Sequence, residues 1–201
     1  MNIPRWVPAA NGTQDRASFG FVEALFRTMP VTDQHVHPAA LDPEALLADC
    51  DVSRGRRSGP GGQHRNKVET AVTILHRSSG IKGEATERRS QAQNRAKAIV
   101  RLRLNLAIDV RLPLQSDSVP SELWRSRCRG GRIAVSATHA DFPALLAEAL
   151  DFVLACGWDV KAAAGRLDST ASQLTKFLKT KPRAIGLVNA KRSERGLRPL
   201  K

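Results

Sequence analysis

Apolar residues recur along the chain at two spacings, and the points where the spacing changes mark out its elements. Phe19, Val22, Phe26 and Met29 fall three and four residues apart, the period of a helix that buries one stripe. A short amphipathic helix is therefore expected over residues 18–29, with Pro30 stopping it. Asp42, Pro43 and Glu44 read as an N-cap, a proline in the first helical position and an acidic first turn, opening a helical turn through Ala48. From Asp49 the period shortens. Residues 50–54 suit a strand, and residues 70–76, rich in β-branched and apolar side chains, suit another. Ser78, Ser79 and Gly80 form a turn, and residues 81–87 complete a hairpin. Ser90 then caps a long helix whose apolar face is expected to be Ala92, Ala96, Ile99, Leu102 and Leu106.

Beyond residue 111 the pattern loosens. Residues 114–131 carry Ser, Pro and Arg with Trp124 as the one aromatic side chain, the composition of a linker. Asp141 opens a helix carrying Leu145, Leu146, Ala149, Phe152, Val153 and Cys156, and Asp159 opens another with Val160, Ala163, Ala164 and Leu167. After a turn at Asp168, Ser169 and Thr170, residues 171–179 continue helically with Leu174, Phe177 and Leu178. Past Pro182 the chain is basic and poor in large apolar residues. The expected fold class is α+β: a small β-sheet packed on a long helix, then a helical C-terminal unit and a basic tail. The expected divisions are an N-terminal arm over 1–40, the α+β domain over 41–112, a linker over 113–138, the helical unit over 139–182 and the tail over 183–201.

Composition narrows the class. The 201 residues are 41% hydrophobic and 25% charged, the balance of an ordinary folded protein. The richest apolar stretch, residues 144–158, is interrupted by Glu148 and Asp151, so no membrane span or membrane partner is expected. No apolar run follows Arg5, so no secretory signal is expected. Cys50, Cys128 and Cys156 are odd in number and far apart, as for the reduced thiols of a cytoplasmic protein. Charge adds a partner. Residues 1–53 carry a net −4, residues 54–111 a net +10 and residues 112–201 a net +7. A block at +10 repels itself unless a polyanion sits against it. Aromatics are only 4%, with no Tyr, so the expected contacts are to nucleic-acid backbone and shape rather than to stacked bases.

The candidate chemistry lies in the irregular segment Gly55-Arg56-Arg57-Ser58-Gly59-Pro60-Gly61-Gly62-Gln63. Two consecutive glycines let the backbone take positive φ and approach a substrate with no Cβ in the way. A following backbone N–H can then be aimed at a developing oxyanion. Gln63 cannot ionise and is a poor general base, but its amide can orient a water. That set suits an electrophile already activated, such as the acyl ester of a tRNA. A Gly-rich surface turn beside a solvated basic face would share the composition, and by chance alone the tripeptide arises in about one chain of this length in twenty-five.

The stretch Arg57-Ser58-Gly59-Pro60-Gly61-Gly62-Gln63-His64-Arg65-Asn66-Lys67 closely resembles the catalytic loop of class-I peptide chain release factors. The likeness continues through Glu69-Thr70-Ala71-Val72-Thr73-Ile74 and Ser79-Gly80-Ile81 to Glu87-Arg88-Arg89-Ser90-Gln91-Ala92-Gln93-Asn94-Arg95-Ala96-Lys97-Ala98, covering about residues 49–106. The resemblance implies a loop that enters the peptidyl transferase centre, a Gln63 backbone N–H that stabilises the transition state, and a Gln63 side chain that admits water and excludes larger nucleophiles. The terminal ribose hydroxyl of the tRNA would assist proton transfer. Gly61, Gly62 and Gln63 carry over as catalytic, and Ser58, Gly59, Asn66 and Lys67 as loop support. Pro60 and Arg65 depart from the family pattern, where a small residue and often Val stand; neither removes a catalytic atom.

Expected RNA contacts are Arg54, Arg56, Arg57, Arg65, Arg88, Arg89, Arg95 and Lys97 around the loop, and Lys191, Arg192, Arg195 and Arg198 in the tail. The implied partners are the ribosome, through large-subunit rRNA at the peptidyl transferase centre, and peptidyl-tRNA, with the tail reaching the mRNA channel; no cofactor or metal is implied. Only about fifty residues precede Asp49, too few for a stop-codon-reading domain. The likeness is therefore to codon-independent rescue factors, although the shortest of these lack a helical unit before the tail. Two other readings stay open: a ribosome-binding regulator that has kept the loop, and a DNA-binding protein using residues 160–178 as a helix-turn-helix. His35 and His37 share one face of an extended segment without a third metal ligand.

Overall fold

The structure, a computed structural model, describes residues 27–28, 36–55 and 70–201. Its first half runs β1 (Arg27–Thr28), a 3-10 turn (Pro38–Ala40), α1 (Pro43–Ala48), β2 (Cys50–Gly55), β3 (Ala71–His76), β4 (Lys82–Ala85), α2 (Gln91–Asp109) and β5 (Val110–Arg111). The second half runs α3 (Glu122–Arg127), β6 (Cys128–Arg129), β7 (Arg132–Ile133), α4 (Phe142–Ala155), α5 (Val160–Arg166), α6 (Ala171–Lys179) and α7 (Pro182–Ser193). The class is α+β.

Strands β2, β3 and β4 form an antiparallel sheet in that order, with Cys50 opposite His76 and Val72 opposite Ala85. Strand β3 alternates as its sequence requires: Val72, Ile74 and His76 are buried, while Ala71, Thr73 and Leu75 are only half-buried. The buried face lies on α2. At Gly83 the strand comes so close that a Cβ would stand 2.2 Å from the Ala98 carbonyl oxygen and 2.5 Å from the Leu102 nitrogen. Glycine is required there by proximity, not by its torsion angles.

Helix α2 starts as expected, with the Ser90 hydroxyl accepting the Gln93 N–H. Its buried row differs from the expected one. Asn94, Ala98, Leu102 and Leu106, spaced four apart, face inward, whereas Ala92 and Ala96 are exposed. Alanine is apolar enough to suggest burial and small enough to stand in water at little cost, so it marks a helix face poorly. The opposite side of α2 meets α4, buried at Leu145, Leu146, Ala149, Phe152 and Val153. One apolar cluster therefore runs from Leu46 and Ile74 through Leu102 to Leu174 and Val188. Helix α4 closes on two left-handed residues, Gly157 and Trp158. The Trp158 N–H reaches the Val153 carbonyl and the Gly157 N–H that of Leu154, satisfying the last turn.

Three further expectations are corrected. Of the helix expected over 18–29, only Arg27–Thr28 are described, and they are extended, paired in parallel with β5. Residues 113–138 are not a linker. Ser121 caps α3 by accepting the Trp124 N–H, Trp124 is fully buried with its indole donating to the Leu167 carbonyl (2.8 Å), and a hairpin follows. The abundance of Arg concealed a short helix anchored by a single aromatic. The tail expected over 183–201 is helical through Ser193, and Pro182 begins that helix, because its missing N–H is harmless in the first turn. Helix α7 packs through the small residues Ala184 and Val188. Among the described residues no helix is long and apolar enough to cross a membrane.

Buried polar groups tie these layers. Arg111 pairs with Asp151 at 2.8 Å, and the same carboxylate oxygen accepts the Leu112 N–H. The His37 Nδ1 accepts the Ala39 N–H, which leaves Nε2 to donate to the Val110 carbonyl. Burial first, and the neighbouring Arg111 charge second, push His37 down to about 3. Substituting Gly83→Ala should destabilise the fold by about 2 kcal/mol or more, since backbone rather than a side-chain tip must give way; an unchanged denaturation midpoint would refute the close approach. Because folded His37 stays neutral while the unfolded imidazole takes a proton below about pH 6.5, its contribution to stability should fall on acidification through that value towards pH 3, by up to about 1.4 kcal/mol per pH unit. Asp151, which burial raises to about 7, works in the opposite sense in both proteins, so urea titrations at pH 7 and pH 5 should show stability shifting further downward in the wild type than in His37→Gln.

Candidate active site

The last rung of the β2–β3 ladder pairs Gly55 with Ala71. Residues 56–70 therefore leave and re-enter the same end of the sheet, with both feet held a strand spacing apart. Gly61, Gly62 and Gln63, the supporting Ser58, Gly59, Asn66 and Lys67, and the basic Arg56, Arg57 and Arg65 lie outside the described residues, as does His35.

The foot at Thr70 is tied down by a residue that the sequence reading assigned no role. Asn94, fully buried in the first turns of α2, donates through Nδ2 to the Thr70 carbonyl (2.6 Å) and the Arg88 carbonyl (2.8 Å). Its Oδ1 accepts the Arg88 N–H at 2.9 Å. One side-chain amide thus satisfies three backbone groups and joins the loop foot, the β4–α2 connection and the helix. The signal was present in the sequence: a lone Asn standing four residues before Ala98 on the row that continues to Leu102 and Leu106. On a buried row an amide has to be fully hydrogen-bonded to be tolerated.

Four of the expected RNA-binding side chains are exposed around this end. Arg54 lies on β2 one residue before the loop, Arg88 and Arg89 lie in the β4–α2 connection, and Arg95 lies on the first turns of α2. None has a carboxylate partner among the described residues. Lys97 is engaged differently: it is half-buried, with its Nζ 3.8 Å from Glu87. Arg101 donates to the same carboxylate and, with the Thr86 backbone N–H, holds it down to about 2. The arrangement is a rim of guanidinium groups, without carboxylate partners among the described residues, around the two ends of the loop, suited to holding phosphates.

The basic residues near the C-terminus have different surroundings. Lys191 is buried, its ammonium donating to both oxygens of Glu194 at 3.0 and 2.8 Å. Arg192 donates to the carbonyls of Arg198 and Trp158, and the Arg195 guanidinium lies 5.9 Å above the Trp158 ring. The Leu200 N–H returns to Asn189 Oδ1 at 2.8 Å. These contacts fold residues 194–200 back on α7. Arg198 and Lys201 remain exposed. Helices α5 and α6 form the expected pair, joined by a turn in which Asp168 takes φ +50°.

Comparison with known proteins agrees with this geometry. Residues 44–131 match the family described as RF-1 domain, a span that contains α1, the three-stranded sheet and all of α2. The chain is 39% identical over 102 residues to peptide chain release factor 1 of Chloroherpeton thalassium, covering 51% of this chain and 28% of that protein. It is 47% identical over 60 residues to the chloroplastic peptide chain release factor PrfB1 of Arabidopsis thaliana, covering 30% of this chain and 13% of that protein. The chain thus spans well under a third of the length of either relative, and α4 to α7 lie beyond the family match. Over residues 44–131 the chain is thus similar to the RF-1 domain of peptide chain release factors.

Proposed function

We propose that the protein hydrolyses the ester of peptidyl-tRNA on the ribosome, releasing the nascent chain, and that it does so codon-independently on stalled complexes. The observation that carries this reading is the pairing of Gly55 with Ala71 beneath a segment containing Gly61-Gly62-Gln63. The sheet holds Gly55 and Ala71, the residues that flank the loop, on one rung, and Asn94 fixes Thr70 against the helix. In this reading the Gln63 backbone N–H meets the oxyanion that develops as water attacks the ester carbonyl. The Gln63 side chain orients that water, and the ribose hydroxyl of the terminal adenosine takes part in proton transfer to the leaving oxygen. Arg54, Arg88, Arg89 and Arg95 hold acceptor-stem or rRNA phosphates, with Arg56, Arg57 and Arg65 acting closer to the ester. No protein acid or base is needed, because the acyl ester is already activated. The partners are large-subunit rRNA and peptidyl-tRNA, in a cytoplasmic setting. With Lys191 and Arg192 occupied internally, a contact with the mRNA channel would fall to Arg198 and Lys201.

Ribosomes stalled on mRNA lacking a stop codon and carrying a labelled nascent peptide provide the test. The wild type should release the peptide; Gly61→Ala should lose release by about a hundredfold or more, the scale expected when an oxyanion donor is misplaced, and Gln63→Ala, which keeps the backbone N–H but removes the water-orienting amide, should also slow it. Intact peptidyl-tRNA under excess wild-type protein would overturn the reading in favour of a non-catalytic ribosome-binding role. Asn94→Ala should lower stability by about 1–3 kcal/mol, because three buried backbone groups lose their partner. It should also slow release at temperatures where the variant is still folded. A destabilised variant with unimpaired release would separate Asn94 from loop positioning.

A further inference from the structure

The hairpin of β6 and β7 turns through Gly130 and Gly131, both in the left-handed region (φ +56° and +75°), as a two-residue turn requires. Its register sets Arg129 directly opposite Arg132. Opposed residues of an antiparallel pair project to the same face, and like charges there repel. Both side chains are exposed and neither has a carboxylate partner among the described residues. The hairpin is also fixed in place. The Ser169 hydroxyl donates to the Gly131 carbonyl at 3.0 Å, Gly131 bridges Ser169 in parallel, and the Cys128 thiol contacts the Asp168 carbonyl.

This clamp sets β7 against α6 and leaves a groove of about 340 Å³ between them. Its floor is apolar, made by Ile133, Val135 and Phe177, and its walls carry Arg132, Lys176, Gln173 and Thr180. Lys179 is exposed one turn beyond Lys176 on α6. Residues 169–181 hold Lys176, Lys179 and Lys181 and no Asp or Glu. Arg129, Arg132, Lys176 and Lys179 thus form a cationic surface with no carboxylate partner among the described residues, beside an apolar floor. Repulsion between Arg129 and Arg132 is relieved when an anion sits between them.

We propose that this groove is a second RNA-binding site, in which Arg129, Arg132 and Lys176 grip consecutive phosphates of a structured RNA. Apart from Arg129 its residues lie beyond the family match, and it uses none of the residues around the loop. That the RNA is ribosomal rests on the release reading; the binding surface itself does not.

The test is fluorescence anisotropy of the full chain with a labelled RNA hairpin, and with duplex DNA of matching sequence, over a salt series. In the Arg129→Ala, Arg132→Ala, Lys176→Ala triple variant, affinity for the RNA should fall at least tenfold at low salt. The slope of log K against log salt should shrink by about two to three, close to 0.9 for each lost phosphate contact. Replacing the same residues by Lys, Lys and Arg should restore most of the affinity, which a misfolded variant could not show. Lys161→Ala, on α5 outside the groove, should change little. An unchanged slope in the triple variant would overturn the proposal, and so would tighter binding to the DNA duplex than to the RNA. Groove-dependent RNA binding by a protein inactive in the release assay would leave this inference standing and remove the release reading. Active release with groove-independent RNA binding would do the reverse.

Discussion

Helix α2 has to be buried from two directions at once, and the remaining architecture follows from that. On one side β4 lies so close that Gly83 has no room for a side chain above Ala98 and Leu102. On the other, α4 contributes its large apolar residues. Polar side chains of α2 reinforce both contacts. Asn105 donates to the Lys82 carbonyl and accepts from Arg183, which also grips Asp109 with 2.6 and 2.8 Å contacts. Arg103 reaches the carbonyls of Ala39 and Ala140. The sheet and the C-terminal helices are thereby fastened to a single rod. A displacement of α4 to α7 has to be felt by the strands that carry the loop, since no second core separates them.

The same rod organises the site. Asn94, Ala98, Leu102 and Leu106 occupy one row, so the residue that secures the loop foot is positioned by the packing that secures the sheet. Guanidinium groups then gather at that end because β2, the β4–α2 connection and the start of α2 all terminate there. At the opposite pole, Lys191 and Arg192 spend their charge on Glu194 and on backbone carbonyls. Two residue sets that look alike in composition thus have different physical roles, decided by the hydrogen-bond acceptors close at hand.

Much of this was legible in the residues. Asp42, Ser90, Asp159 and the turn at Asp168 sit at helix starts and turns because short polar side chains satisfy backbone groups locally, which needs no knowledge of the fold. The strand at Ala71–His76 was equally visible, since β-branched alternation is a local property. What escaped depended on distant partners. The burial of Trp124 is settled by the Leu167 carbonyl, 43 positions away. The extended Arg27–Thr28 depends on β5. Helix α7 packs through Ala184 and Val188, too small to announce a face by hydrophobicity alone. Arg129 and Arg132 were hidden in a stretch whose composition resembles a spacer, and only the pairing register reveals that they oppose each other.

The rung between Gly55 and Ala71 has a polymer-physical consequence. Once the ladder has joined the ends of the intervening segment, the entropy lost in closing it grows only logarithmically, and doubling its length would cost about 0.6 kcal/mol. Folding stability is then only weakly sensitive to the length of the segment between Gly55 and Ala71. The number of residues there can be set by the distance a partner requires the segment to reach, at little cost to the fold.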